Sequence, residues 1–439
     1  MHAGFARRKV PVAMFLAAMV AFMVALLHGP AMPLERARAL CVVNLQLAKS
    51  WRLLLNCDSP DFLRLAYNPI ELMEPGEYRL SRPVFIVAAS VLGRILEPVV
   101  SPLQILIPQN VGPNQRNGDK VAFGLRNYLP VFAGYVFINL LLLVFSFIIY
   151  FDLVEIKNLS HSSRRILCYI GILLICNIVT KGFIWSAHTQ IFNILIPVAG
   201  TAIMANSNAR SWPRLLGLSL LIGLGILAYA ANAILLLCLL LAEWRRAQWH
   251  LVSVLPRQLA ALAATIVLPV GWSLYCTIVL GGFAVPEATT HREIVWILDA
   301  RNQGIAELVY QIGQRVDFFL EHGAWQAIPA AAALLAIAIS VRLDGSAGFG
   351  SWAANLRPKA EPALLASLVC LIFYIIIGWP AARLAYAVVP PLIICAGFGV
   401  AEAARMAPGH DLGWRVEAVI AAIVLTAGVF FVMLDRYYS

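Results

Sequence analysis

YLPVFAGYVFINLLLLVFSFIIYF, from Tyr128 to Phe151, contains no Asp, Glu, Lys, Arg or His. As an α-helix this stretch rises about 36 Å, enough to cross the roughly 30 Å hydrocarbon core of a bilayer. Its backbone polar groups cannot be left open in lipid, so a helix is the only conformation open to it there. Similar runs recur along the chain at Pro11–Leu27, Pro83–Ile107, Ile166–Thr180, Ile184–Met204, Leu259–Phe283, Ala327–Val341, Leu364–Ile377, Ala387–Val400 and Ala418–Leu434. One more, Leu215–Ala242, would rise about 42 Å, so it is either one tilted helix or two short ones broken near Gly223–Ala231. The expectation is an all-α polytopic membrane protein with about eleven transmembrane helices, one integral membrane domain over residues 1–439.

Composition agrees. The 439 residues are 61% hydrophobic and 13% charged, with a mean hydropathy of +0.80. A soluble chain is about 45–50% apolar and about 25% charged. The net charge of +10 matches the excess of Lys and Arg that membrane proteins carry on the cytoplasmic side. No basic stripe is interleaved with aromatics, so nucleic acid is not an expected partner. Cys168, Cys176, Cys238, Cys276, Cys370 and Cys395 fall in apolar spans and read as small core residues. Cys41 and Cys57 share the first loop, where a disulfide is open but not required by their spacing.

Eleven spans with a cytoplasmic N-terminus put 15 of the 33 Lys and Arg in inside segments 1–10, 108–126, 181–183, 243–257, 342–361 and 404–415. Arg164, Arg165, Arg210 and Arg214 then stand on the wrong side. Two long loops fall outside, 28–82 and 284–322. In the first, Leu34–Leu55 has apolar residues at 34, 37, 41, 45, 48, 51 and 55, with Arg36, Arg38, Lys49 and Arg52 between them. That period predicts an amphipathic interfacial helix. In the second span, Arg94 and Glu97 are three apart and would neutralise each other.

The first loop continues as CDSPDFLRLAYNPIELMEPGEYRLSRP, Cys57–Pro83, carrying Asp58, Asp61, Glu71, Glu74 and Glu77. The second adds His291, Asp299, Arg315, Asp317 and His322 among others. Charge gathered in loops outside the spans, rather than near the midplane, favours chemistry at the interface over transport. His188, within an apolar span, reads as a satisfied interior histidine.

From Asp58, Phe62 follows at the fourth position, Leu65 at the seventh and Ala66 at the eighth. Tyr78–Pro83 (YRLSRP) leads into the second span, Gly225–Leu241 precedes Glu243, and GWPAARLAYAVVPPL occupies Gly378–Leu392. In this order the stretches resemble the GT-C glycosyltransferases, which include protein O-mannosyltransferases and the aminoarabinose transferases acting on lipid A. The resemblance implies sugar transfer from a polyprenyl-phosphate donor to a glycolipid, polysaccharide or protein acceptor, at the outer (periplasmic) face of a bacterial inner membrane. Asp58 would be the catalytic base, with Asp61 as its rival. Either could instead cap the helix that begins here. Arg383, Arg79 and Arg82 are candidates for holding the donor phosphate. Tyr386 and His291 are candidates for contacting substrate. Some members of the family use a divalent metal, and the Asp58/Asp61 pair alone is too small a ligand set to assign one. Two further readings stand beside this one. An O-antigen polymerase or ligase would make loop 284–322 essential, and a transporter or assembly subunit would leave Asp58 dispensable.

Overall fold

A computed structural model describes residues 2–28, 42–46, 52–56, 58–74, 77, 79–107, 111–114, 121–123, 125–154, 159–206, 210–281, 294–344, 348–378, 380–406 and 412–434. Its helices are α1 (His2–Leu27), α2 (Ser59–Tyr67), α3 (Pro83–Val100), α4 (Leu129–Val154), α5 (His161–Ile172), α6 (Ile178–Phe183), α7 (Phe192–Ala205) and α8 (Trp212–Ala228). They continue as α9 (Ala233–Arg246), α10 (Leu251–Val279), α11 (Val295–Gln303), α12 (Ile305–Asp344), α13 (Phe349–Ile377), α14 (Ala382–Ala385), α15 (Val389–Met406) and α16 (Gly413–Met433). Among the described residues, eight helical stretches are long and apolar enough to cross a membrane. The protein is a multi-pass helical membrane protein. At its centre lies Ala382–Met406, nearly all of whose most apolar stretch is buried, while Val252–Val279 buries few residues and turns its apolar surface outward.

The interfacial helix expected over Leu34–Leu55 is not what its described residues, 42–46 and 52–55, form. Val42–Gln46 (β1) and Arg52–Asn56 (β2) pair antiparallel instead, Val42 opposite Asn56 and Gln46 opposite Arg52. Leu53 and Leu55 are both buried. Residues two apart reach one side of a strand but not one side of a helix, so the period-2 burial overrides the 3.6 pattern. A second small hairpin joins Val111–Asn114 (β3) to Val121–Phe123 (β4), and β3 lies beside β1. Cys41, Cys57 and His291 lie outside the described residues, whereas the six cysteines in apolar spans are buried and unbridged.

The long run 215–242 is two helices. Asn232 ends the first by donating to the carbonyls of Gly225 and Tyr229, both at 2.9 Å, so α8 and α9 form a hairpin with Tyr229–Asn232 at its tip. Pro83–Val100 also differs from expectation. Gly93 abuts the Val131 backbone and Gly134 abuts the Ala89 carbonyl, so α3 runs antiparallel beside the first half of α4. Its far end therefore lies toward Tyr128, which meets the Tyr67 ring edge-on at 5.4 Å, on the side of the first loop. The loop 108–126, expected inside, thus returns to the first loop's side. Arg94 and Glu97 are both exposed, and no ion pair joins them among the described residues.

These changes move Arg165 and Arg210 to the other end of the bundle. Arg210 meets Glu243 at 2.9 Å, and Arg165 meets Glu417. Arg245 pairs with Glu361 at 3.0 Å, and Lys359 and Arg405 pair with Glu402. Together these groups form a charged belt at one end of the bundle. Lys181, expected on that side, instead caps the last turn of α16, donating to the Val432 carbonyl at 3.2 Å and to Leu434. A second charged group, around Asp58, lies at the other end. Between Glu361 and Ile377 the 16-residue rise is about 24 Å, so two ionic layers bound an apolar slab of membrane dimensions.

Candidate functional site

The site begins with a break in a membrane helix. Between α6 and α7 the chain unwinds over Ile184–His188 before a single 3₁₀ turn, Thr189–Ile191, leaving carbonyls that lipid could not satisfy. Asn139 of α4 takes up three of them, its side-chain amide donating to Phe183 (3.0 Å), Ile184 (3.3 Å) and Ser186 (3.0 Å). The unwound segment then becomes a seat for the first loop. Ser186 Oγ is 2.9 Å from Ser59 Oγ and accepts from the Asn56 amide at 3.4 Å. Tyr135 donates to the Phe62 carbonyl at 3.0 Å, fixing α2 on α4. Phe62, fully buried, meets the Phe85, Tyr135 and His188 rings edge-on at 5.8–6.1 Å between centroids.

Asp58 occupies the position just before α2, but its side chain does not cap the helix. Its Oδ1 lies 2.6 Å from Arg79 Nη2, and its Oδ2 lies 3.4 Å from His188 Nε2. The carboxylate keeps 23% of its surface exposed. Asp61 is inside the first turn rather than capping it. It stands 3.9 Å from the same Arg79 nitrogen and is more exposed. Arg79 is itself buried, its guanidinium over the Phe62 ring at 5.0 Å.

Arg82 and Arg383 complete the arrangement. Arg82 donates to Thr189 Oγ1 at 3.1 Å and lies 5.5 Å over Phe62 and 5.9 Å over Tyr229. Arg383 arrives from the other end of the sequence on α14, 5.8 Å over the Phe183 ring. Gln326 of α12 steadies that short helix by donating to the Ala382 carbonyl at 3.0 Å. His188 Nε2 faces Asp58, and its Nδ1 is buried without a hydrogen-bond partner among the described residues.

Of the candidates named from sequence, Asp58, Asp61, Arg79, Arg82 and Arg383 fall in one neighbourhood. Tyr386 does not join them: it is buried, and its hydroxyl donates toward the Leu173 carbonyl at 3.4 Å. Among the described residues no group of three or more His, Cys, Asp and Glu side chains is gathered for a metal ion. Sequence reasoning set His188 aside, together with a polar network next to it. Tyr229 and Tyr374 donate to Asn193 Oδ1 at 3.2 and 2.7 Å, and Asn193 donates to Gln190 Oε1 at 2.6 Å. The available signal was SAHTQ, Ser186–Gln190, a polar cluster inside an apolar run. Such residues at membrane depth mark functional sites.

The arrangement can hold an anion beside a partly open carboxylate, at the rim of the apolar slab. Comparison with protein-family models, with curated proteins and with solved structures returns no match.

Proposed function

We propose that the protein is a membrane glycosyltransferase that moves a sugar from a polyprenyl-phosphate donor to an acceptor hydroxyl. The observation that carries this reading is the convergence of Asp58, oriented by Arg79 and His188, with Arg82 and Arg383 at the edge of the slab. A lipid-linked phosphate has its chain in hydrocarbon and its headgroup at this depth, so donor and site meet without the donor leaving the membrane.

In the reaction the acceptor hydroxyl loses its proton to Asp58 as its oxygen attacks the anomeric carbon. The bond from that carbon to the phosphate oxygen breaks, and the electron pair leaves with the phosphate. Arg82 and Arg383 would stabilise that charge in a site screened from water. Arg79 and His188 hold the two carboxylate oxygens of Asp58, which fixes its direction. The GT-C fold and a bacterial inner membrane belong to the same proposal. So does a chain crossing eleven times, α3 excluded, with its N-terminus cytoplasmic and the Asp58 face outside.

The test is transfer from a radiolabelled polyprenyl-phosphate sugar by purified protein, with Asp58→Asn and Arg383→Ala alongside. Loss of transfer in both, with folding retained, is expected. Full transfer by the Asp58 variant sinks the assignment.

A further inference from the structure

The end of the bundle away from Asp58 carries a second ionic assembly that the proposed reaction does not use. Glu243, at the end of α9, is fully buried. Arg210 Nη1 and Arg246 Nη1 reach its Oε1 at 2.9 and 2.8 Å, and Arg257 Nε reaches its Oε2 at 2.9 Å. Arg210 also donates to the Ile203 carbonyl at 2.6 Å, and Arg257 to the Arg210 carbonyl at 2.5 Å. Three guanidiniums thus share one carboxylate among the described residues. Arg246 and Arg257 each keep about a fifth of their surface exposed.

Two tryptophans flank this charge. Arg257 lies 5.2 Å over the half-exposed Trp212 ring. Trp249 is also half exposed, in a turn where Gln248 and Trp249 both have left-handed backbone angles (φ 51° and 68°). The turn is held by Trp244 Nε1, which donates to the Trp249 carbonyl at 2.8 Å. Two successive non-glycine residues in this region are strained and persist only where the surroundings impose them. The result is an amphipathic ring pushed outward beside two partly exposed guanidiniums, at the boundary of the slab. Tryptophan belongs at headgroup depth, and basic residues there attract anionic lipid.

We infer that Arg246 and Arg257, with Trp212 and Trp249, form a binding site for the phosphate headgroup of an anionic phospholipid in the leaflet opposite Asp58. Glu243 holds the guanidiniums in place, and the lipid phosphate meets the faces of Arg246 and Arg257 that remain exposed.

Native mass spectrometry of the full-length protein, released from detergent with phosphatidylglycerol, phosphatidylcholine or inorganic phosphate, tests this. Phosphatidylglycerol should be retained over phosphatidylcholine, and Arg246→Gln should reduce that preference about fivefold, the effect of one basic residue at a lipid surface. Trp249→Ala, which leaves every ion pair intact, should also weaken retention and covers the case in which Arg246→Gln fails to fold. Equal retention of the two lipids overturns the site. Displacement of phosphatidylglycerol by inorganic phosphate overturns the lipid assignment in favour of a soluble anion.

Discussion

The two ends of the bundle each set arginines around a carboxylate, with opposite results. Glu243 is fully buried and shared by three guanidiniums, two of which also satisfy backbone carbonyls. Nothing of that carboxylate is left to touch a substrate. Asp58 keeps a quarter of its surface open and, among the described residues, meets Arg79 and His188. Arg82 and Arg383 stand close enough to act on His188 and Tyr229. A buried carboxylate saturated with cations is a fastening, whereas a partly open one with cations grouped beside it can do chemistry.

Crossed substitutions probe that distinction most sharply. Asp58→Asn should lower transfer by about 10²–10⁴-fold, the usual worth of a positioned base, with a smaller fall in melting temperature than Glu243→Gln because Asp61 stays 3.9 Å from the buried Arg79. Glu243→Gln should weigh the other way, removing the buried charge that three guanidiniums share and costing about 3–5 kcal/mol of stability. A thermal melt and a transfer assay on both variants would collapse the comparison if each lost the same property.

A smaller effect follows from His188, which faces the second oxygen of Asp58 at 3.4 Å. His188→Ala should lower transfer less than Asp58→Asn does, because Arg79 still holds the other oxygen. Unchanged transfer by the His188 variant would remove this residue from the site. The smallest effect is expected at Gly134, where an added Cβ would lie 2.4 Å from the Ala89 carbonyl oxygen. Gly134→Ala should cost about 1–3 kcal/mol by forcing α3 from α4. Because α3 carries Arg82 at its start, donor affinity should fall more than turnover.

The sequence alone determined the membrane-spanning character, because hydrocarbon admits helices of about twenty apolar residues and little else. It also singled out Asp58 and the three arginines, since charge is rare enough in such a chain for its positions to stand out. What it missed depended on partners far apart in the chain. His188 looked like an interior residue until α2 was seated on the unwound segment beside it, 130 residues away in sequence between Asn56 and Ser186. Leu34–Leu55 carried a helical period, yet pairing and burial of Leu53 and Leu55 made its second half a hairpin. Arg210 and Arg165 were on the wrong side by counting, and only the folding back of α3 and of the 215–242 run placed them with Glu243 and Glu417. Local hydropathy fixes which segments enter lipid. Which end of the bundle a loop reaches is set by helix pairing, and that was decided by close contacts such as Gly134 on Ala89 that no window of sequence contains.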